Sequence, residues 1–220
     1  LGGLMYSIGT YEREPLKHGL SQAQMIAGAN AAVGTMTALW HQRASGMGQQ
    51  VDVSVQEGVS RAMISQCFWY AYTGAILRRQ MKGGTGLGAI MPCQDGHVSP
   101  IVGASDWDLF TAFIDVPELL DPKFTDLASR TSNAQELNQL LEREFMKRGK
   151  HELFHSAQEW GFPWAVVQDP ADLAECPQLE ARSFWAELEH EVMGKLRFPG
   201  MGFHMSKTPW RWEAPAPLLG

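Results

Sequence analysis

Three short stretches carry side chains whose types and spacing could do chemistry. The first is "HGLSQAQMIAGANAAVG", a helix start with Ser21, Gln22 and Gln24 in its opening turn. A helix start gathers partial positive charge and suits a carboxylate. Here it is polar and uncharged, so the side chains can donate and accept hydrogen bonds but offer no anionic nucleophile. The second is "GGTGLG", with Gly83, Gly84, Gly86 and Gly88. Glycines at this density could cradle a phosphate, but a dinucleotide fingerprint needs a strand before it and a helix after it. A helical pattern precedes this stretch and a turn, "PCQDG", follows it. The remaining readings are a flap over a ligand, since glycine lets a backbone come close and move, and an ordinary surface loop.

The third is "HELFH", which sets His151 and His155 at i, i+4. Two imidazoles at that spacing can share a zinc ion. The surrounding "RGKHELFHSAQEWGFP" reads instead as a solvated helix with Leu153 and Phe154 turned inward, so no metal is expected. Ser54, Ser60 and Ser65 lack a G-x-S-x-G elbow, which removes a serine hydrolase. Asp52 falls on the exposed side of an alternating run and reads as structural. Cys93, in "MPCQDG", reads as a small buried residue before a turn rather than a nucleophile. The eight tryptophans fall in apolar patterns and read as core or interface residues.

These groups must be held by regular elements. Ser21 can cap a helix running to about Ala44, with Gly28, Ala31, Ala32, Gly34 and Ala38 allowing close approach by neighbours. "QQVDVSV" alternates Val51, Val53 and Val55 with polar residues and predicts a half-buried strand. "QEGVSRAMISQCFWYAYTGAI" predicts one apolar helix. "HVSPIV" predicts a short strand, and "SDWDLFTAFI" a helix capped by Ser105 with Asp108 three residues on. "TSNAQELNQLLEREFMKRG" places Leu137, Leu140, Leu141 and Phe145 at helical spacing and closes at Gly149. A further helix covers "KHELFHSAQEWG", then a strand "WAVVQ". "DPADLAECPQLEARSFWAEL" predicts short helices, and "EVMGKLRFPGMGF" a strand and turn. There is no internal repeat. The order is mixed α/β.

Composition narrows the function classes. The 220 residues are 45% hydrophobic and 19% charged, with a net charge of −6. That balance, without a basic run interleaved with aromatics, excludes the footprint of a nucleic-acid binder. No apolar run approaches the roughly 18 residues of a membrane span. Three scattered cysteines, Cys67, Cys93 and Cys176, point to free thiols in a reducing compartment, hence a cytoplasmic protein. The chain opens on "LGGLMYSIGT" and closes on "EAPAPLLG", which reads as a piece of a longer protein.

The string from "GGLMYSIGTYEREPLKHGLSQAQ" through "ASGMGQQVDVSVQEGV" resembles the class III CoA-transferases of the CaiB/BaiF type, the family of formyl-CoA and carnitine CoA-transferases. The likeness runs on through "PCQDGHV", "RTSNAQEL", "GFPWAVVQDPADL", "PQLEARSFWAEL" and "GKLRFPGMGFHMSKTP" to "APAPLLG". The resemblance implies an α/β fold with a Rossmann-like large domain, a smaller domain and an interlocked dimer. It implies that 1–75 ends the first pass of the large domain, 76–190 forms the small domain with its connections, and 191–220 starts the return.

The resemblance also implies chemistry. Family members move CoA between an acyl-CoA and an organic acid through an aspartate nucleophile. CoA is the substrate thioester and no separate cofactor is implied. A glycine-rich loop shields the intermediates, a role for Gly83, Gly84, Gly86 and Gly88. The family's nucleophile stands four residues before a glycine, and counting back from Gly28 gives Gln24. The nearest acids, Glu12 and Glu14, lie too far upstream. Two readings follow: a CoA-transferase or a subunit of one, and a non-catalytic subunit of a heteromer whose homologous partner carries the aspartate. The partners implied are an acyl-CoA, a carboxylic acid, and a second copy or an aspartate-bearing homologue, with neither nucleic acid nor membrane. A third, remoter reading is a degenerate CoA-binding protein.

Overall fold

The computed structural model describes residues 2–9, 12–77, 79, 87, 89–103 and 105–218. Two compact units divide the chain: Leu1–Ala89 with Val102–Glu144, and Ile90–Ile101 with Phe145–Gly220. Helices α1 (Leu4–Ser7), α2 (Gln22–Ser45), α3 (Val55–Ala62) and α4 (Ile64–Thr73) open the first unit. Alanine, methionine, leucine and glutamine fill α2, all good helix formers. Gly46 ends it at φ 76°, its N–H bonding the Gln42 carbonyl at 2.8 Å, the left-handed stop that glycine adopts without a Cβ clash. Gly34 lets the returning chain in, since a Cβ there would stand 2.9 Å from Val51 Cγ1.

The strand predicted at 49–55 does not form. Ser54 is extended, but no described residue pairs with this segment, and Ser54 Oγ instead accepts the Glu57 N–H at 3.3 Å to cap α3. Alternation marks a strand only where a ladder partner exists. The single helix predicted after it divides at Met63, whose N–H turns back to the Ser60 carbonyl, three residues away, at 3.0 Å. That bond tightens the turn between α3 and α4.

The rest of the first unit is helical. It holds α5 (Trp107–Ile114), 3-10 turns at Pro117–Leu120 and Pro122–Phe124, α6 (Leu127–Ser132) and α7 (Ala134–Phe145). Phe110, Leu119, Phe124, Leu137 and Leu141 are fully enclosed. Asp106, not Ser105, stands at the N-cap of α5, and Ser105 Oγ donates to its carboxylate at 2.9 Å. The long helix predicted from Thr131 divides at Asn133, where α6 ends. Arg130 is buried there. Its guanidinium lies 4.4 Å from the Trp107 ring centre and donates to the Phe124 and Thr125 carbonyls at 2.9 Å. Those bonds satisfy a charge that burial alone would penalise.

The second unit is α/β. Strands β1 (Met91–Cys93) and β2 (Gly96–Ser99) form a hairpin with Met91 opposite Val98. Strand β3 (Ala165–Val166) pairs antiparallel on β2, giving the order β1-β2-β3. Helix α8 (Lys150–Glu159) buries Leu153 and Ala157, and Phe145 meets Trp164 edge to face at 5.3 Å. Short helices α9 (Pro170–Ala174) and α10 (Pro177–Ala181) lead to a second antiparallel pair, β4 (Trp185–His190) and β5 (Gly194–Pro199). Of "FWAEL", expected to be helical, Trp185 to Leu188 are strand. Ser183, at φ 49°, stops α10, and the alternation from Trp185 to His190 then finds its partner in β5. His190 closes the hairpin by accepting the Val192 and Met193 N–H groups on Nδ1 at 3.2 and 3.3 Å.

No helix among the described residues is long and apolar enough to cross a membrane. The enclosed positions set the stability. Leu137→Ala removes a fully buried side chain and is expected to cost about 2–5 kcal/mol. Leu120→Ala, at a side chain 70% exposed, should stay within about 0.5 kcal/mol. Urea unfolding of the two variants against the parent checks both; equal midpoints would show that the burial is wrongly placed.

Candidate functional site

The opening turn of α2 is built by an unusual approach. Leu20 holds φ 59°, a left-handed conformation that costs a branched side chain energy. The chain then enters the helix at Ser21, whose side chain makes no cap hydrogen bond. Met25 N–H makes the first intrahelical bond, to the Ser21 carbonyl at 3.0 Å. The N–H groups of Gln22, Ala23 and Gln24 precede it, as the first donors of any helix do. No acid lies in this turn.

Gln24 occupies the third helical position and is exposed. Gly28 follows it at i+4, on the same face. A Cβ at Gly28 would meet nothing within 4 Å, so the helix surface beside Gln24 is open. This arrangement can bind: several N–H donors and a primary amide suit a carboxylate or a thioester carbonyl oxygen. It offers no anionic oxygen for attack.

The other sequence candidates separate from this turn. Gly83, Gly84, Gly86 and Gly88 lie outside the described residues. Asp52 is exposed. Cys93 is buried, its Sγ 3.7 Å from Asp95 Oδ1, and burial pushes the thiol pKa up. A thiol so placed is a poor nucleophile. His155 packs its ring on Phe154, and His151 Nε2 stands 3.7 Å from Asp172 Oδ1. Among the described residues no three metal-binding side chains gather.

His151 instead borders a polar clasp. Asp169 and Asp172 form a capping box at the start of α9, where Asp172 Oδ2 accepts the Asp169 N–H at 2.9 Å. The same Oδ2 accepts from Lys150 Nζ, and the Lys150 backbone N–H donates to Asp95 Oδ1 at 2.6 Å. The Lys150 ammonium holds the Asp172 carboxyl below the usual range, and Asp172 in turn raises Lys150. Asp95 is lowered first of all by the Lys150 N–H. The neighbouring glycines leave room: a Cβ at Gly96 would press Lys150 Cδ, and one at Gly149 would press Asp95, each at 3.2 Å. In sequence only "DPAD" hints at this cluster, as a capping box.

The CoA-transferase family III model matches residues 1–220. The chain belongs to CoA-transferase family III. It is 28% identical to subunit BbsE of succinyl-CoA:(R)-benzylsuccinate CoA-transferase of Thauera aromatica, over all of this chain and 57% of that one. It is 27% identical to the succinyl-CoA–D-citramalate CoA-transferase of Chloroflexus aurantiacus, covering 56% of it, and 26% identical to human succinyl-CoA:glutarate CoA-transferase, covering 51%. The crystal structure of a CaiB/BaiF family protein from Brucella suis superposes with a TM-score of 0.79 over 99% of this chain and 57% of that one, at 21% identity, and shares the fold. The class III α/β fold read from the sequence is thus shown. The chain spans little more than half the length of these relatives.

The clasp makes an acid-side prediction. Because the folded pKa of Asp172 is depressed, its contribution is fully present above the unfolded value, about 3.9, and is lost as pH falls through the lower folded value. The Lys150 contribution has the opposite sense, lost only as pH rises through its raised value. Asp172→Asn should therefore lower the urea midpoint at pH 7 and flatten its fall between pH 5 and the acid limit. Parallel acid limbs in the variant and the parent would remove Asp172 from the clasp.

Proposed function

We propose that this chain is part of a class III CoA-transferase that moves CoA from an acyl-CoA to an organic acid. The observation that carries the reading is the family match along the whole chain, together with relatives whose names all specify CoA transfer between acids. In such a reaction an enzyme carboxylate attacks the thioester carbonyl carbon, and CoA leaves as thiolate. The thiolate then attacks the enzyme's own carbonyl in the resulting anhydride and frees the donor acid. The acceptor carboxylate attacks the enzyme–CoA thioester, and the thiolate returns to the acceptor's carbonyl. Gly83, Gly84, Gly86 and Gly88 take the shielding role in this reading.

A second reading is favoured by one specific observation: the opening turn of α2 has Gln24 and no acid. A neutral amide cannot form and release the anhydride. In this reading the chain is the non-catalytic subunit of a heteromer. It supplies donors that hold a substrate carboxylate or thioester oxygen, and an aspartate-bearing homologue does the covalent chemistry. That one relative is a subunit of a larger enzyme supports it. We place the protein in the reducing cytoplasm; the support is that Cys67, Cys93 and Cys176 are all free thiols.

Two measurements test these readings. The full chain alone, treated with acyl-CoA and hydroxylamine, should yield no modified carboxylate by mass spectrometry; an adduct on this chain would overturn the non-catalytic reading. With the homologue present, transfer should appear, and Gln24→Ala should cost about 1 kcal/mol in kcat/KM, the worth of one hydrogen bond.

The second measurement concerns assembly. Along α2, Met25, Val33, Met36 and Trp40 are exposed, Trp40 at 78%, and on α4 Phe68, Trp69, Tyr70 and Tyr72 are exposed. So many large apolar side chains exceed what an isolated surface ordinarily shows. Light scattering of the full chain at micromolar concentration should give a dimer, with itself or with the homologue. A monodisperse monomer under both conditions would overturn the oligomeric reading.

A further inference from the structure

A cavity of about 270 Å³ opens between the β4–β5 hairpin and the segment that follows it. Its walls include Phe184, Trp185, Phe203, His204, Trp210 and Trp212. The Phe184 carbonyl accepts the Gly200 N–H at 2.9 Å, and a Cβ at Gly200 would collide with that carbonyl, so only glycine lets the chain close the hairpin's end this tightly. Trp212 stands at right angles to Phe198, ring centres 5.0 Å apart, and meets Trp210 at 5.9 Å and 73°. Those edge-to-face contacts pin the two indoles while leaving Trp210 53% and Trp212 43% exposed. The Arg197 guanidinium stands 4.9 Å from the Trp185 ring centre and holds that ring in place.

The lining chemistry is narrow. No acid, lysine or arginine lines the cavity; the polar side chains are those of Ser183, His204 and the indoles. The Trp185 N–H is closed off from solvent, with no acceptor among the described residues, so that wall presents ring carbon and not a donor. The site therefore offers π faces and edges, with neither lysine nor arginine to pair with a phosphate or carboxylate. The volume suits a ring: a dry cavity of about 150 Å³ accepts benzene, and this one has room for a bicyclic ring or an aryl group with a short tail.

We propose that this cavity binds an uncharged planar aromatic ring, with the occupant's charged portion left in solvent. Two sources share that chemistry, the base of a nucleoside and the aryl end of an acid. The site lies wholly within the second unit, so the proposal does not depend on Gln24 or on catalysis.

The test uses isothermal titration and saturation-transfer NMR on the full chain with four probes: adenosine, phenylacetamide, ribose as a match for the first without its base, and cyclohexylacetamide as a saturated match for the second. At least one aromatic probe should bind saturably below 10 mM, and whichever binds more tightly identifies the source. Phenylacetamide, if it binds, should do so at least severalfold more tightly than its saturated match. Trp212→Ala should weaken the bound aromatic probe about tenfold, the scale of a lost stacking partner, while Trp212→Phe should keep most of the affinity. Absence of saturable binding by both aromatic probes, equal affinity for the cyclohexyl compound, or an unchanged affinity in Trp212→Ala would each overturn the site. If Trp212→Ala fails to fold, the parent protein still decides: a bound phenylacetamide must bind more tightly than cyclohexylacetamide, a bound adenosine more tightly than ribose, and equal affinities within the pair of the probe that binds would overturn the site.

Discussion

Lys150 is the joint on which the second unit depends. Its backbone N–H takes Asp95, 55 residues earlier, and its ammonium takes Asp172, 22 residues later. One residue thereby fixes the β1–β2 turn, the start of α8 and the start of α9. The chain of contacts continues from there. Arg197 on β5 donates to the Ala174 carbonyl at the end of α9 and to Glu180 on α10. The same guanidinium covers the Trp185 ring. The position of the aromatic cavity is thus set through α9 by a buried-edge ion pair. Lys150 and Asp172 keep little exposed surface, and without Lys150 the Asp172 carboxylate would keep only the Asp169 N–H and His151 as partners.

The first unit depends on a different constraint, close approach without charge. Gly34 admits Val51, and Gly58 lies on Ala27 and Ile26 of α2, within 3.6–3.7 Å of a Cβ position. Small residues let α3 sit close to α2, and the helix needs no ion pair to hold its neighbour. At the start of α2 the same absence of charge has a functional side. The end of a helix dipole stabilises an anion by about 0.3–1 kcal/mol. A carboxylate of the protein at Gln24 would take that stabilisation for itself. In the proposed subunit, a glutamine would leave it to a carboxylate or carbonyl oxygen of the substrate.

How much of this was legible in the sequence depended on how local each cause is. Helix α2, its stop near Ala44 and the strand-and-turn at 191–203 follow from neighbours a few residues apart, and the sequence shows them. The strand at 49–55 failed because alternation says nothing about the partner a strand requires. "FWAEL" failed for the converse reason: its partner, β5, lies beyond the window that looked helical. The position of Gln24 at a helix start was legible from "GLSQAQ", while the openness beside Gly28 was not, since that is a property of what surrounds it. The clasp around Lys150 joins residues 55 and 22 apart with no shared period, and the aromatic cavity takes its walls from a strand and an irregular tail. Neither leaves a pattern in the chain.

Water imposes the remaining constraint on the proposed chemistry. A mixed anhydride and a thioester both hydrolyse, so a transferase must exclude water from the carbons they expose. The opening turn of α2 is exposed, and so are the apolar side chains along the same helix and along α4. They lie on different faces. Met25 stands about 100° around the helix from Gln24, and Val33, Met36 and Trp40 follow on the side of Met25, whereas Gly28 shares the side of Gln24. Burying the apolar stripe removes area from water at about 25 cal/mol per Å², but it does not by itself dry the approach to Gln24. In the proposed enzyme, assembly along that stripe and protection of a thioester beside Gln24 therefore need two separate coverings, and the shielding role proposed for the glycine-rich stretch answers the second.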